Sequence, residues 1–199
     1  MFGPNTHLST LSEIKYSHRD VDFVDLYKNL SSLFSDKFEL QDYDILFIPG
    51  SGTIGIESVF WSLKKRINVI GHGGVFTKRW NKLSEIYTPY NRLNYNEKAV
   101  SLYCQLETSV NKTFEKEGCI VDAISSFPYY SIPKNTNIFV TCSNKQLGSM
   151  PGLSIVCVKK DYWGELKEDD IFSYLNLSRY KTYGLKGQTP STPPCPITF

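Results

Sequence analysis

Short apolar runs recur along the chain, at residues 45–48, 67–70, 100–104, 119–124, 138–142 and 153–158, each bounded by Gly, Pro, Asn or a charged residue. Runs this short, without strict alternation, read as strands covered on both faces. Helical periods lie between the early ones. In 20–34, Phe23, Leu26, Tyr27, Leu30, Leu33 and Phe34 share one helical face, with Asp20 available as N-cap. Further helices are predicted from Thr53 to Lys65 and around Lys78 to Ile86. The strand–helix beat predicts a three-layer α/β/α fold with a mostly parallel sheet. With 41% hydrophobic residues in 199, one sizeable core can be buried. A single domain over 1–199 is therefore expected, with an N-terminal segment at 1–19 and a Pro/Thr-rich loop at 187–199.

The formal charge is only +2 and the basic residues are scattered, so no track for nucleic acid or acidic lipid is expected. Cys104, Cys119, Cys142, Cys157 and Cys195 have no C-x-x-C spacing, and most sit in or beside apolar runs, as buried reduced thiols would. No apolar run approaches the roughly 20 residues of a membrane span. These features together predict a soluble cytoplasmic protein without a metal centre, acting on a small metabolite.

The segment Gly50-Ser51-Gly52-Thr53-Ile54-Gly55 follows one predicted strand and opens a predicted helix. Free amides and the positive end of the helix dipole could hold a phosphate there. The segment also satisfies G-x-G-x-x-G, the first half of a dinucleotide fingerprint. The second half is missing, because the next strand ends in Gly71-His72-Gly73-Gly74 instead of a carboxylate. The hydroxyls of Ser51 and Thr53 suit one terminal phosphate monoester, and an ordinary tight strand-to-helix turn explains the same residues.

Asp122 closes one apolar run and Lys145, after Ser143-Asn144, closes another. An unpaired carboxylate in such a place is costly, so a cation should meet it. In a parallel sheet both groups fall at the carboxyl edge, where open α/β folds bind ligands. A buried ion pair between the two is the simpler explanation.

At these positions the sequence resembles the class V branch of the fold-type I pyridoxal-phosphate enzymes, in particular the alanine-glyoxylate and 2-aminoethylphosphonate aminotransferases. The shared motifs occur in order: Gly3-Pro4, His18-Arg19-Asp20, Phe47-Ile48-Pro49-Gly50-Ser51-Gly52-Thr53, Asp122-Ala123-Ile124-Ser125-Ser126, Ser143-Asn144-Lys145, Pro151-Gly152-Leu153-Ser154, and Gly187-Gln188-Thr189-Pro190-Ser191-Thr192-Pro193-Pro194. The resemblance implies pyridoxal 5'-phosphate as cofactor. It makes Lys145 the residue that holds the cofactor aldehyde and moves the proton, and Asp122 the partner of the pyridine nitrogen. It assigns the phosphate to Ser51, Gly52 and Thr53, ring stacking to Phe76, a hydroxyl near the ring oxygen to Thr108, and the opposite ring face to Ala123. Asn144, next to the lysine, is a further cofactor-binding residue, and Thr189 would reach a partner's phosphate across a homodimer interface.

The same resemblance implies a separate C-terminal small domain carrying an arginine for the substrate carboxylate, and no position here corresponds to it. Segments 79–107 and 108–122 look short for the family. The expected activity is amino transfer between a small amino acid or aminophosphonate, as donor, and a 2-oxo acid acceptor. The alternative is a truncated or degenerate non-catalytic relative that binds the cofactor or serves as a subunit. A desulfurase would need a mobile cysteine, for which Cys195 is the candidate.

Overall fold

The computed structural model describes residues 17–89, 98–170 and 172–193. Gly3-Pro4, Pro194 and Cys195 lie outside the described residues. The first described helix, α1 (Val21–Lys37), buries Phe23, Tyr27 and Phe34. Asp20 stands at its N-cap position, but its carboxylate accepts from the Ser17 amide at 2.7 Å and caps no helix amide.

Next come β1 (Tyr43–Pro49), α2 (Gly52–Ser62), β2 (Ile67–Ile70), α3 (Val75–Tyr87) and β3 (Val100–Cys104). Helix α2 stops short of Lys65, because Leu63 leaves the helix and bridges to Leu166. Helix α3 starts a turn before Lys78, since Glu107 caps it from outside, as described below. A small antiparallel hairpin follows, β4 (Leu106–Glu107) with β5 (Lys112–Thr113). Then come β6 (Ile120–Asp122), β7 (Ile138–Cys142), β8 (Leu153–Lys159), a 3-10 turn at Lys160–Glu165, and α4 (Leu177–Gly184).

The main sheet is six-stranded, in the order β1-β8-β7-β6-β3-β2. The pairs β2–β3, β3–β6 and β6–β7 are parallel, and β8 runs antiparallel to both of its neighbours. The expected α/β, mostly parallel sheet is thus present, with β8 reversed.

Strand side chains alternate between two apolar clusters, as a period of two requires. On one face, Leu46, Ile48, Leu102, Ile120, Ile138, Val140, Val156 and Val158 pack with Ile56, Val59 and Phe60 of α2, Trp80 of α3, and Leu177 and Tyr180 of α4. On the other face, Phe47, Tyr103, Val121, Phe139, Ile155 and Cys157 pack with Phe23, Tyr27 and Phe34 of α1. Here the structure is leaner than a regular alternation. The connections β3 to β6 and β6 to β7 carry no α-helix, and Phe114, Phe127, Ile132 and Leu147 cover the sheet from turns instead.

Candidate functional site

Strands β1, β2, β3, β6 and β7 point the same way, so their ends at Pro49, Ile70, Cys104, Asp122 and Cys142 share one edge of the sheet. The reversed β8 starts at that edge. Its pairing sets Pro49 opposite Leu153, and the Gly50 amide donates to the Gly152 carbonyl at 2.7 Å. The Gly50–Ser51 turn therefore lies beside the Pro151-Gly152 turn. Gly50 holds φ +138°, which a side chain would strain.

Ser51 is the N-cap residue of α2, exposed and extended, and its hydroxyl makes no capping bond to the helix. The first-turn amides of a helix have no intrahelical acceptor. Ser51 and Asn144 both line a cavity of about 380 Å³ with Pro49, Gly50, Gly152 and Tyr174. Gly52 is buried against Ile124, and a Cβ there would come within 2.8 Å of the Ile124 side chain.

Asp122 is 3% exposed. Its Oδ2 accepts from the Trp80 indole N–H at 2.7 Å and its Oδ1 from the Ile124 amide at 3.1 Å. Burial pushes this carboxyl up to about 6, and the bonds from Ile124, Trp80 and the Cys104 thiol partly offset that. Asp122 and Lys145 form no ion pair, which removes the simpler explanation of the two residues, and Asp122 has no salt-bridge partner among the described residues. Lys145 stands half-buried in the turn after β7, which the Gly148 amide closes by donating to the Lys145 carbonyl at 3.1 Å. The Cys142 thiol, raised by burial, lies within electrostatic reach of both groups: the Lys145 ammonium lowers it and the Asp122 carboxylate raises it. It also donates to Asn144 Oδ1 at 3.2 Å.

The other candidates are placed less directly. Phe76 occupies the first turn of α3, half-buried, with its ring 6.4 Å from that of Trp80 and the Arg79 guanidinium 5.5 Å from its centroid. Thr108 is exposed on the turn between β4 and β5. Ala123 is fully buried in the cluster on the α1 face, so its neighbour Ile124, which shares Asp122's face, is the residue that meets Gly52. Thr189 is buried, its hydroxyl donating to the Ser191 carbonyl at 2.8 Å, in a loop whose Gly187 abuts Val24 of α1.

Two residues at the site are absent from the motif reading. Trp80 holds Asp122. Glu107, 1% exposed, accepts from the amides of Phe76 (3.3 Å) and Thr77 (2.8 Å) and the hydroxyls of Thr77 (2.9 Å) and Ser109 (2.6 Å). It caps α3 with a full negative charge. Burial raises its carboxyl, the four hydrogen bonds outweigh that, and the net shift is downward.

No protein-family model matches the chain. It is 24% identical over 237 aligned positions to the small subunit of a soluble hydrogenase from Synechococcus sp., covering 98% of this chain and 61% of that protein. It is 27% identical over 222 positions to an uncharacterized aminotransferase of Methanocaldococcus jannaschii, covering 92% and 57%. The chain spans 57% to 61% of the length of these relatives. The aligned stretches are longer than the chain's 199 residues, so both relatives carry internal segments that it lacks.

Among solved structures, it resembles an aspartate aminotransferase of subgroup IV from Thermus thermophilus, at TM-score 0.80 and 19% identity over 99% of this chain and 66% of that one. It also resembles an alanine–glyoxylate aminotransferase from Nostoc sp., at 0.78 and 19% over 99% and 64%. A PLP-bound phosphoserine aminotransferase from Trichomonas vaginalis matches at 0.73 and 15% over 93% and 58%. The structural neighbours are class V, fold-type I aminotransferases, and the chain has their fold. Among the described residues no helix is long and apolar enough to cross a membrane, and no group of three or more His, Cys, Asp or Glu is placed to hold a metal.

Proposed function

We propose that this chain is the cofactor-binding part of a pyridoxal-phosphate-dependent aminotransferase that moves an amino group between a small amino acid or aminophosphonate and a 2-oxo acid. The observation that carries this reading is Asp122: a buried carboxylate, gripped at both oxygens by neutral donors, without a salt-bridge partner among the described residues. A desolvated anion of this kind is complementary to a protonated ring nitrogen. The donor set fits the rest of the cofactor. The α2 N-terminus offers amides and two hydroxyls to a phosphate, and Lys145 offers an amine at the same edge of the sheet.

Each residue then has one task. Ser51, Gly52 and Thr53 bind the phosphate, and the hydroxyl of Ser51 is available because it does not cap its own helix. Asp122 keeps a proton on the ring nitrogen. When bound, the cofactor supplies an electron sink for the carbanion at the substrate carbon. Lys145 would hold the cofactor through Nζ and would serve as the group that takes up and returns the proton at the substrate carbon. Phe76 would pack beside the ring from α3, and Asn144 would be a further cofactor contact next to Lys145. Thr108 and Ala123 are further cofactor contacts on the resemblance alone, and Thr189 serves a partner in a homodimer. The resemblance to the alanine–glyoxylate and phosphoserine aminotransferases supports small amino donors.

The test is a single half-reaction. Purified protein loaded with pyridoxal phosphate is mixed with alanine, serine, aspartate or 2-aminoethylphosphonate, and pyridoxamine phosphate is measured. Its formation with at least one donor, abolished by Lys145→Ala, is the expected result. Folded, cofactor-loaded protein that yields none with any donor overturns the enzymatic reading and leaves a cofactor-binding subunit.

A further inference from the structure

Trp80 is fully buried at the centre of α3, and its one polar atom is spent on Asp122 Oδ2 at 2.7 Å. The opposite oxygen is held by the Ile124 amide, so donors from two separate segments fix the plane of the carboxylate. The indole has little freedom to swing away. Its helix is pinned one turn earlier, where Glu107 accepts from the Thr77 amide and hydroxyl, and its ring lies against that of Phe76 at an interplanar angle of 32°. A buried tryptophan serving only as packing would be satisfied by any backbone carbonyl, whereas this one donates to the single side chain that the proposed chemistry needs charged.

We propose that Trp80 is a positioning residue that orients Asp122 and keeps it anionic, so that the carboxylate can pair with a protonated ring nitrogen of the bound cofactor. The inference rests on the pyridoxal phosphate reading and adds to it a residue acting through Asp122. The ionisable groups that bear on this carboxylate are the Cys104 thiol on β3, Glu107 on β4, and, through Cys142 on β7, the Lys145 ammonium. The carboxylate Glu107 raises the carboxyl of Asp122. Burial raises it most, and the Trp80 N–H is one of the bonds that hold it down. Without that bond more of the Asp122 population is protonated at neutral pH, and a neutral acid no longer attracts a ring cation.

The experiment compares two ligands on the full chain: pyridoxal phosphate and its carbocyclic analogue, in which a C–H replaces the ring nitrogen. Trp80→Phe removes the N–H and keeps an aromatic ring. Losing a hydrogen bond to a charged group should weaken pyridoxal phosphate binding by about tenfold or more at neutral pH, with the pH midpoint of binding moved upward, while the analogue's affinity stays within about twofold. Equal losses for both ligands, or no loss for either, overturn the proposal. If the phenylalanine variant does not fold, benzothienylalanine at position 80 replaces N–H by sulfur with almost no change of shape, and the same outcomes apply. A wild type that binds neither ligand overturns the cofactor reading itself. In the ligand-free protein the Trp80 indole N–H resonance should titrate with a midpoint near pH 6 and be static in Asp122→Asn. A resonance that is static in the wild type also counts against the coupling.

Discussion

Asp122→Asn isolates the energetic consequence of burying this carboxylate. The ordinary value of the group is 3.8 and the fold pushes it up to about 6, mainly by desolvation. The folded state therefore binds a proton that the unfolded chain has already released between those values. The wild type is least penalised below pH 4, loses stability as pH rises toward 6, and is level above that. The shift corresponds to about 3 kcal/mol. Asparagine cannot titrate, so the variant lacks this loss. It also turns an NH2 group toward either Trp80 or Ile124, which sets a constant offset of about 1 to 3 kcal/mol that does not depend on pH. The informative quantity is thus the slope, not the offset. Urea unfolding of both proteins at steps from pH 4 to 7.5 should show the stability difference moving by about 2.5 kcal/mol in favour of the variant, with most of the change between pH 4 and 6. A difference that stays flat across this range would refute the argument that Asp122 is held as a strained, solvent-free anion.

Three other outcomes follow from the same geometry. Pyridoxal phosphate affinity should be level above about pH 6 and fall below it, as Asp122 takes up its proton, and a titration that ignores pH between 5 and 7.5 would argue against Asp122 as the ring partner. Glu107→Gln should cost about 1 to 3 kcal/mol at pH 7 in urea unfolding, because it weakens four hydrogen bonds and removes a charge from the start of α3. Its carboxyl is depressed, so the wild type's advantage over this variant should be present above pH 4.5 and disappear as pH falls through the folded-state value. Gly52→Ala should force Ile124 to move, since the new methyl would lie 2.8 Å from it, costing about 1 to 3 kcal/mol and weakening cofactor binding measured by equilibrium titration.

The apolar runs located every strand of the main sheet, because a strand buried on both faces leaves a continuous signature. They could not reveal the reversal of β8, since a doubly buried strand looks the same in either direction. Helix α4 lies in a stretch for which no element is predicted, although its Asn176 cap, which accepts from the Ser178 amide at 3.0 Å, and its buried Leu177 and Tyr180 are a legible start signal. At the site, Asp122 and Lys145 were readable as ends of apolar runs. The strand period also contains the reason that Ile124, two residues beyond Asp122, and not Ala123, reaches Gly52. Glu107 and Trp80 were not readable as a cap and a clamp, because their partners lie 30 and 42 residues away in sequence and only the folded sheet edge brings them together.

The most direct test of the central claim is to incubate the protein with pyridoxal phosphate, reduce with borohydride, and map the modified peptide by mass spectrometry. The account predicts one dominant adduct on Lys145, accompanied by a visible absorption band that Lys145→Ala lacks. An adduct spread over exposed lysines such as Lys78 and Lys134, with Lys145 unmodified in folded protein, would contradict it.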